Sequence, residues 1–102
     1  MFKVIVHNVA EDTLVSLFKS DKIMFGRICD ALDSLEEKGL ESSNLKKLTG
    51  TKDIYRKRVG RWRILFTFHE NIIDVWIVAV EKDTRKDYNR WIRHITYHVE
   101  AR

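Results

Sequence analysis

Six of the twelve residues from Lys52 to Arg63 are basic, and they fall in two alternating runs around a Gly-containing pair. The first run is Asp53-Ile-Tyr-Arg-Lys-Arg-Val59, the pair is Gly60-Arg61, and the second run is Trp62-Arg-Ile-Leu-Phe-Thr-Phe-His69. Short β-branched and aromatic runs on either side of such a pair predict a hairpin. With Gly60-Arg61 as the turn, Val59 faces Trp62, Arg58 faces Arg63 and Arg56 faces Leu65. Alternation then places Ile54, Arg56, Arg58, Arg63, Leu65 and Thr67 on one face. Tyr55, Val59, Trp62, Ile64, Phe66 and Phe68 take the other, with Lys57 as the single polar intruder in a core. Directly opposed like charges destabilise a sheet, so folding alone does not account for Arg58 against Arg63. An anion would offset the repulsion, and phosphate matches the arginine fork. The chemistry expected of this face is contact with a phosphodiester.

Other chemistry-bearing residues carry less. His94 and His98 have the i, i+4 spacing of a metal pair, but they lack the Glu of an H-E-x-x-H motif and no third ligand is evident. His7 and His69 stand at strand ends and read as structural. Trp76 and Leu65 lie on the arginine face, where an aromatic side chain can stack a base, yet cover by a C-terminal helix is the favoured reading. No Gly-rich phosphate loop and no Ser/His/Asp arrangement is present.

The elements that must position the arginines follow from periodicity. Phe2 to His7 reads as a strand. Asn8 with Glu11 resembles a capping box opening a short helix striped by Ala10, Leu14, Leu17 and Phe18. Ser20 or Asp21 restarts the chain into a longer helix with Met24, Ile28, Ala31 and Leu35 at helical spacing, flanked by Phe25 and Leu32, and Gly39 ends it. Glu41 to Thr51 reads as a connecting loop anchored by Leu45 and Leu48. After the hairpin and a Glu70-Asn71 turn, Ile72 to Val80 is strongly strand-like. Strict alternation puts Ile73, Val75, Ile77 and Ala79 on the core face and Ile72, Trp76, Val78 and Val80 on the other, so the strand is covered on both sides. Asp83 or Thr84 can cap a last helix striped by Tyr88, Trp91, Ile95 and Val99 and flanked by Arg85, Lys86, Arg90 and Arg93. The expected fold class is α+β: an N-terminal strand and helical hairpin, then a mainly antiparallel twisted sheet, in the order β-α-α-β-β-β-α.

A chain of 102 residues makes one domain, residues 1–102, with a real core. With 44% hydrophobic and 33% charged residues it is not of disordered composition. No apolar run approaches the roughly 18–20 residues of a membrane span. The N-terminus reads as a strand and not as a signal peptide, and Cys29 is the sole cysteine. A cytoplasmic protein with a buried thiol is expected. Net charge is +4, but residues 1–45 carry five Lys/Arg against eight Asp/Glu, while residues 46–102 carry fourteen against seven. An acidic scaffold followed by a basic half favours a polyanionic partner.

Leu48-Thr-Gly50, followed by Ile54-Tyr-Arg-Lys-Arg-Val-Gly-Arg-Trp-Arg-Ile-Leu-Phe66, an apolar strand and Arg85-Lys-Asp-Tyr88, resembles the RelE/ParE superfamily of toxins. The resemblance spans the whole chain in element order and is specific in residues 48–68. For the RelE branch it implies the toxin of a type II toxin–antitoxin module, a ribosome-dependent and metal-independent endoribonuclease that needs no cofactor. Its partners would be a cognate antitoxin and mRNA on the ribosome, with no membrane. Carried over, the catalytic set implied is Arg56, Arg58, Arg63, Arg85 and Tyr88, with Lys82 as the alternative loop cation. Lys46, Lys47, Lys52, Lys57, Arg61, Lys82 and Lys86 are the cations expected to contact RNA. The ParE branch, which poisons DNA gyrase, and a degenerate antitoxin- or RNA-binding module are the alternative readings.

Overall fold

The computed structural model describes residues 1–80 and 84–100, and the side chains of all of these except 84–87 and 100. Strand β1 (Lys3–Val6) leads into helices α1 (Asn8–Ser20) and α2 (Lys22–Lys38), and a single 3-10 turn (Gly39–Glu41) follows. Strands β2 (Leu45–Lys47), β3 (Ile54–Val59), β4 (Trp62–His69) and β5 (Ile72–Val80) come next, and α3 (Thr84–Glu100) closes the chain. One five-stranded sheet has the order β1-β5-β4-β3-β2. β1 runs parallel to β5, and every other pairing is antiparallel. This is the expected α+β arrangement with one strand more. Among the described residues no helix is long and apolar enough to cross a membrane.

Local chemistry explains the junctions. Asp21 ends α1 and starts α2: its N–H reaches Leu17 O at 2.8 Å, while its carboxylate accepts from the Met24 N–H at 3.1 Å. Gly39 closes α2 with φ +58, and a Cβ there would stand 2.5 Å from the Phe2 ring. Only glycine meets both conditions. In the β3–β4 turn Gly60 alone takes a positive φ, as a type II′ hairpin requires, whereas Glu70 and Asn71 both do so between β4 and β5, the type I′ pattern.

The sheet is buried on both faces. On one, α1 and α2 bring Ala10, Leu17, Ile28, Ala31 and Leu35 onto Ile64, Phe66, Ile73, Val75 and Val78. On the other, Trp91 and Ile95 of α3 pack on Leu48, Ile54, Leu65, Trp76 and Ile77. Trp76 and Leu65 are thus helix-covered, at 4% and 0% exposure.

Three expectations need correction. Glu41 to Thr51 is not all loop, because Leu45–Lys47 pairs with Lys57, Arg56 and Tyr55 as an edge strand. Three residues are too short for a period to show. Strict alternation along β5 also fails: Leu65 pairs with Ile77 but Phe66 with Val75, so Trp76 is the extra residue of a β-bulge. Side-chain parity inverts there, which moves Ile77 and Ala79 to the α3 face and Val78 to the hairpin face. Finally, no capping box forms at Asn8. Helix α1 begins at Asn8 itself, with His7 at the cap and no side-chain capping bond. The His7 ring is engaged elsewhere, 2.7 Å from Asp74.

Candidate nucleic-acid interface

The β3–β4 register pairs Arg58 with Arg63, Arg56 with Leu65 and Val59 with Trp62, as the hairpin reading expects. Leu65 packs under α3, so Arg56, Arg58 and Arg63 share the α3 face by alternation. The edge strand adds a second like-charge pair, for Lys46 stands opposite Arg56 across β2 and β3. Two opposed cation pairs on neighbouring strands cost stability. Part of that cost is met inside the protein. The Arg63 guanidinium donates to Gly60 O at 3.0 Å and to Trp62 O at 2.9 Å, tying one cation to the turn. Folding therefore does account for Arg63 in part, contrary to the argument from repulsion alone. Arg58 is exposed.

Arg56 reaches the other way. Its Nη1 donates to the Tyr88 hydroxyl at 3.3 Å, joining β3, the first strand of the hairpin, to the first turns of α3. Tyr88 is held in place by an edge-on contact with the buried Trp91, ring centroids 5.5 Å apart. Around this pair opens a pocket of about 270 Å³ walled by Lys46, Lys47, Leu48, Thr49, Asn89 and Ile92. Its rim is shaped by the Leu48-Thr-Gly50 segment. Leu48 N–H bonds Ile54 O at 2.9 Å, the Thr51 hydroxyl donates to Leu48 O at 2.7 Å, and Gly50 turns the chain at φ +81. The pocket offers a proton donor beside a guanidinium and is bordered by Lys46 and Lys47, which suits a phosphodiester whose leaving oxygen needs a proton.

Of the expected site residues, the structure brings together Arg56, Tyr88, Lys46 and Lys47. Arg58 and Arg63 stand at the turn end of the same face. Lys52 lines a neighbouring pocket of about 240 Å³ between the β2–β3 loop and α3, and Arg61 is exposed at the hairpin tip. Lys57 does not belong to this surface. It is 3% exposed on the opposite face, where its ammonium donates to Ser42 Oγ at 2.8 Å and Ser43 O at 2.7 Å. Burial, and then the charge of Lys38, hold its pKa below the usual lysine value. Lys82 and Asp83 lie outside the described residues, as do the side chains of Thr84, Arg85 and Lys86; Thr84–Lys86 form the first turn of α3. Asn89 and Thr49 were not anticipated in the pocket wall. Asn89 follows Tyr88 directly, but nothing in its type marks it without the neighbouring edge strand.

Three of the four histidines, His7, His94 and His98, form a separate group toward the far end of α3. His7 stacks on Trp76 at 3.8 Å, His98 stacks on the same indole at 5.8 Å, and the His94 and His98 rings are 4.4 Å apart. Burial, and then His98, push the His94 pKa below its ordinary value. Among the described residues no group of three or more His, Cys, Asp or Glu is placed to hold a metal ion. Asp74, buried and bonded to His7, was also not anticipated. Cys29 is half-buried instead of buried, and its pKa is raised by burial and by Asp33 and Asp30.

No protein-family model and no curated protein matches the sequence. Solved structures do. A chain of the archaeal RelE–RelB complex from Pyrococcus horikoshii OT3 superposes with a TM-score of 0.68 at 24% identity, over 81% of this chain and 98% of that one. A chain of the YoeB–YefM complex from Staphylococcus aureus gives 0.67 at 20% identity, over 80% and 99%. The YoeB dimer from Staphylococcus aureus gives 0.64 at 20% identity, over 74% and 91%. The first two are matched almost end to end, which leaves about a fifth of this chain beyond what they share. The protein has the fold of the RelE- and YoeB-type toxins.

Proposed function

We propose that this chain is the toxin of a toxin–antitoxin pair, an endoribonuclease that acts in the cytoplasm and cuts mRNA held on the ribosome. The observation that carries the reading is the Arg56–Tyr88 contact of 3.3 Å inside a pocket banked by Lys46 and Lys47. RNA supplies its own nucleophile: the 2′-oxygen bonds to the adjacent phosphorus as the bond to the 5′-oxygen breaks, leaving a 2′,3′-cyclic phosphate and a 5′-hydroxyl. Arg56 and Arg58 stabilise charge on the phosphorane, with Arg63 holding the turn that aims Arg58. Tyr88 gives its proton to the departing 5′-oxygen. A guanidinium hardly loses its proton and is a poor base, so the cation cluster acts by lowering the 2′-hydroxyl pKa, and that proton passes to solvent water. The antitoxin would answer the arginines with acidic side chains on a helix or strand.

Mapping of mRNA ends by primer extension after brief induction tests the reading. New ends clustered in translated frames are expected. An induced DNA-damage response without new ends would instead place the target at DNA gyrase and reject the nuclease.

A further inference from the structure

We infer that the cleft between α2 and the tip of the β3–β4 hairpin binds a phosphorylated sugar, the ribose 5′-phosphate of a mononucleotide, at a site separate from the cleavage pocket. The cleft holds about 500 Å³ against about 270 Å³ for that pocket, within the range of small-molecule sites. Arg27 and Asp30 enter it from α2, Asn44 from the turn before β2, and Lys57 and Arg58 from β3.

Lys57 is the buried cation of the cleft, at 3% exposure. Its ammonium has three protons to donate. Two go to Ser42 Oγ and Ser43 O, and among the described residues the third has no acceptor. Folding thus accounts for two of the three bonds. A buried charge costs stability unless its donors are met, and a ligand oxygen in the cleft can meet the third. Arg27 and Arg58 add two exposed cations. Arg58 stands opposite Asn44, where β2 has not yet begun, so its side chain comes round the sheet edge into the cleft although alternation places it on the α3 face. Arg27 reaches the hairpin turn because Gly60 has no side chain: its guanidinium nitrogens lie 3.3 and 3.4 Å from where a Gly60 Cβ would stand. Asp30 follows Arg27 by three positions, the spacing of a helical ion pair. Even so, among the described residues neither the Arg27 nor the Arg58 guanidinium has an ion-pair or hydrogen-bond partner.

This charge balance selects the ligand. Three cations against one carboxylate leave the cleft a net charge of +2. A phosphate monoester carries about −1.5 to −2 at pH 7, more than the single charge of a carboxylate or a phosphodiester. Asp30 repels phosphate but can accept from neighbouring hydroxyls, as a carboxylate does for a ribose. The Asn44 amide and the Ser34 hydroxyl stand in the same wall. An anionic head on a hydroxyl-bearing body is a sugar phosphate. A longer RNA strand would have to carry further phosphates past Asp30. No aromatic side chain lines the cleft among the described residues, so a base finds no stacking platform and its identity should matter little.

The test titrates adenosine 5′-monophosphate into the full chain by calorimetry at low salt. One site is expected, with adenosine at least about tenfold weaker and uridine 5′-monophosphate within about threefold. Arg27→Gln should weaken the nucleotide about tenfold or more without moving the melting curve, since Arg27 is exposed. Arg27→Lys should recover part of the loss. Lys46→Gln/Lys47→Gln, at the cleavage pocket, should leave the affinity as it was. No binding at millimolar nucleotide, equal binding of adenosine, or a loss on the lysine pair and not on Arg27 overturns the site. Tighter binding of a 5′-phosphorylated trinucleotide or of a glutamate-rich peptide overturns the ligand, making the cleft a contact for an RNA end or a protein. None of these readouts depends on mRNA cleavage, so the site stands or falls apart from the function proposed above.

Discussion

A tyrosine can donate a proton to a leaving oxygen only if something fixes its hydroxyl, and in this chain Arg56 does so from a neighbouring strand. Tyr88→Phe removes the hydroxyl and keeps the ring contact with Trp91. The expected result is a fall in kcat of roughly 10²–10⁴, the range for losing a positioned proton donor, with an unchanged melting curve. Full activity in a single-turnover assay would remove Tyr88 from the chemistry. The two opposed arginines separate in a different way. Arg58 is exposed, so Arg58→Ala should cut toxicity while leaving stability equal or slightly higher, because a like-charge pair is relieved. Arg63 donates to two turn carbonyls, so Arg63→Ala should cost about 1–2 kcal/mol in denaturant unfolding as well. Equal stability losses for the two would refute the assignment of Arg63 to the turn. The pairing itself was readable from the sequence, since a two-residue turn sets register and register sets every opposing pair. The partner of Arg63 was not, because a bond to a backbone carbonyl leaves no mark in residue types. Lys57 was readable as an intruder on the core face. Its acceptors Ser42 and Ser43 come from a segment whose path no local pattern dictates.

At the scale of elements, long amphipathic segments announce themselves and short ones do not. Helices α1, α2 and α3 and strands β3, β4 and β5 follow from apolar period and turn residues. Strand β2, with three residues, exists because the exposed edge of β3 recruits it, a tertiary cause. The bulge at Trp76 is equally hidden: β5 is apolar on both faces, so a parity change breaks no pattern. Helix α3 is the element on which the site depends, as it carries Tyr88 at one end and the His94–His98 pair at the other. His94 has a pKa below 6.5 in the folded protein. Above about pH 6.5 folded and unfolded chains both hold it neutral, and its contribution is constant. As pH falls through 6.5 toward the folded value, the unfolded chain takes up the proton first, so stability is lost in that window. His98 on the same helix, His7 beyond β1, and Trp76 and Asp74 of β5 make up the surroundings of this ring cluster. His94→Gln should therefore flatten the acid limb of the melting temperature against pH relative to the unaltered protein. Identical limbs would show that His94 does not titrate against a buried setting.

For the molecule as a whole, the question is what the site lacks. The pocket of about 270 Å³ has room for a phosphodiester but opens to solvent, and its lining residues are too few to align a flexible strand for in-line attack. Alignment accounts for several kcal/mol of barrier in well-oriented reactions. Under the proposed function, that alignment comes from the ribosome, and the protein contributes charge and a proton. The charge split fits this division, with fourteen of nineteen Lys/Arg in residues 46–102. Association driven by such cations releases counterions and weakens steeply as salt rises. Cleavage of a defined mRNA by the purified chain should accordingly be negligible without ribosomes and rapid with them at matched RNA concentration. The apparent KM should climb across a salt series while kcat stays nearly level, since salt screens encounter but not a group already bonded in the pocket. Fast, salt-tolerant cutting of naked RNA would show that these few groups align the strand unaided, and the division of labour would have to be abandoned.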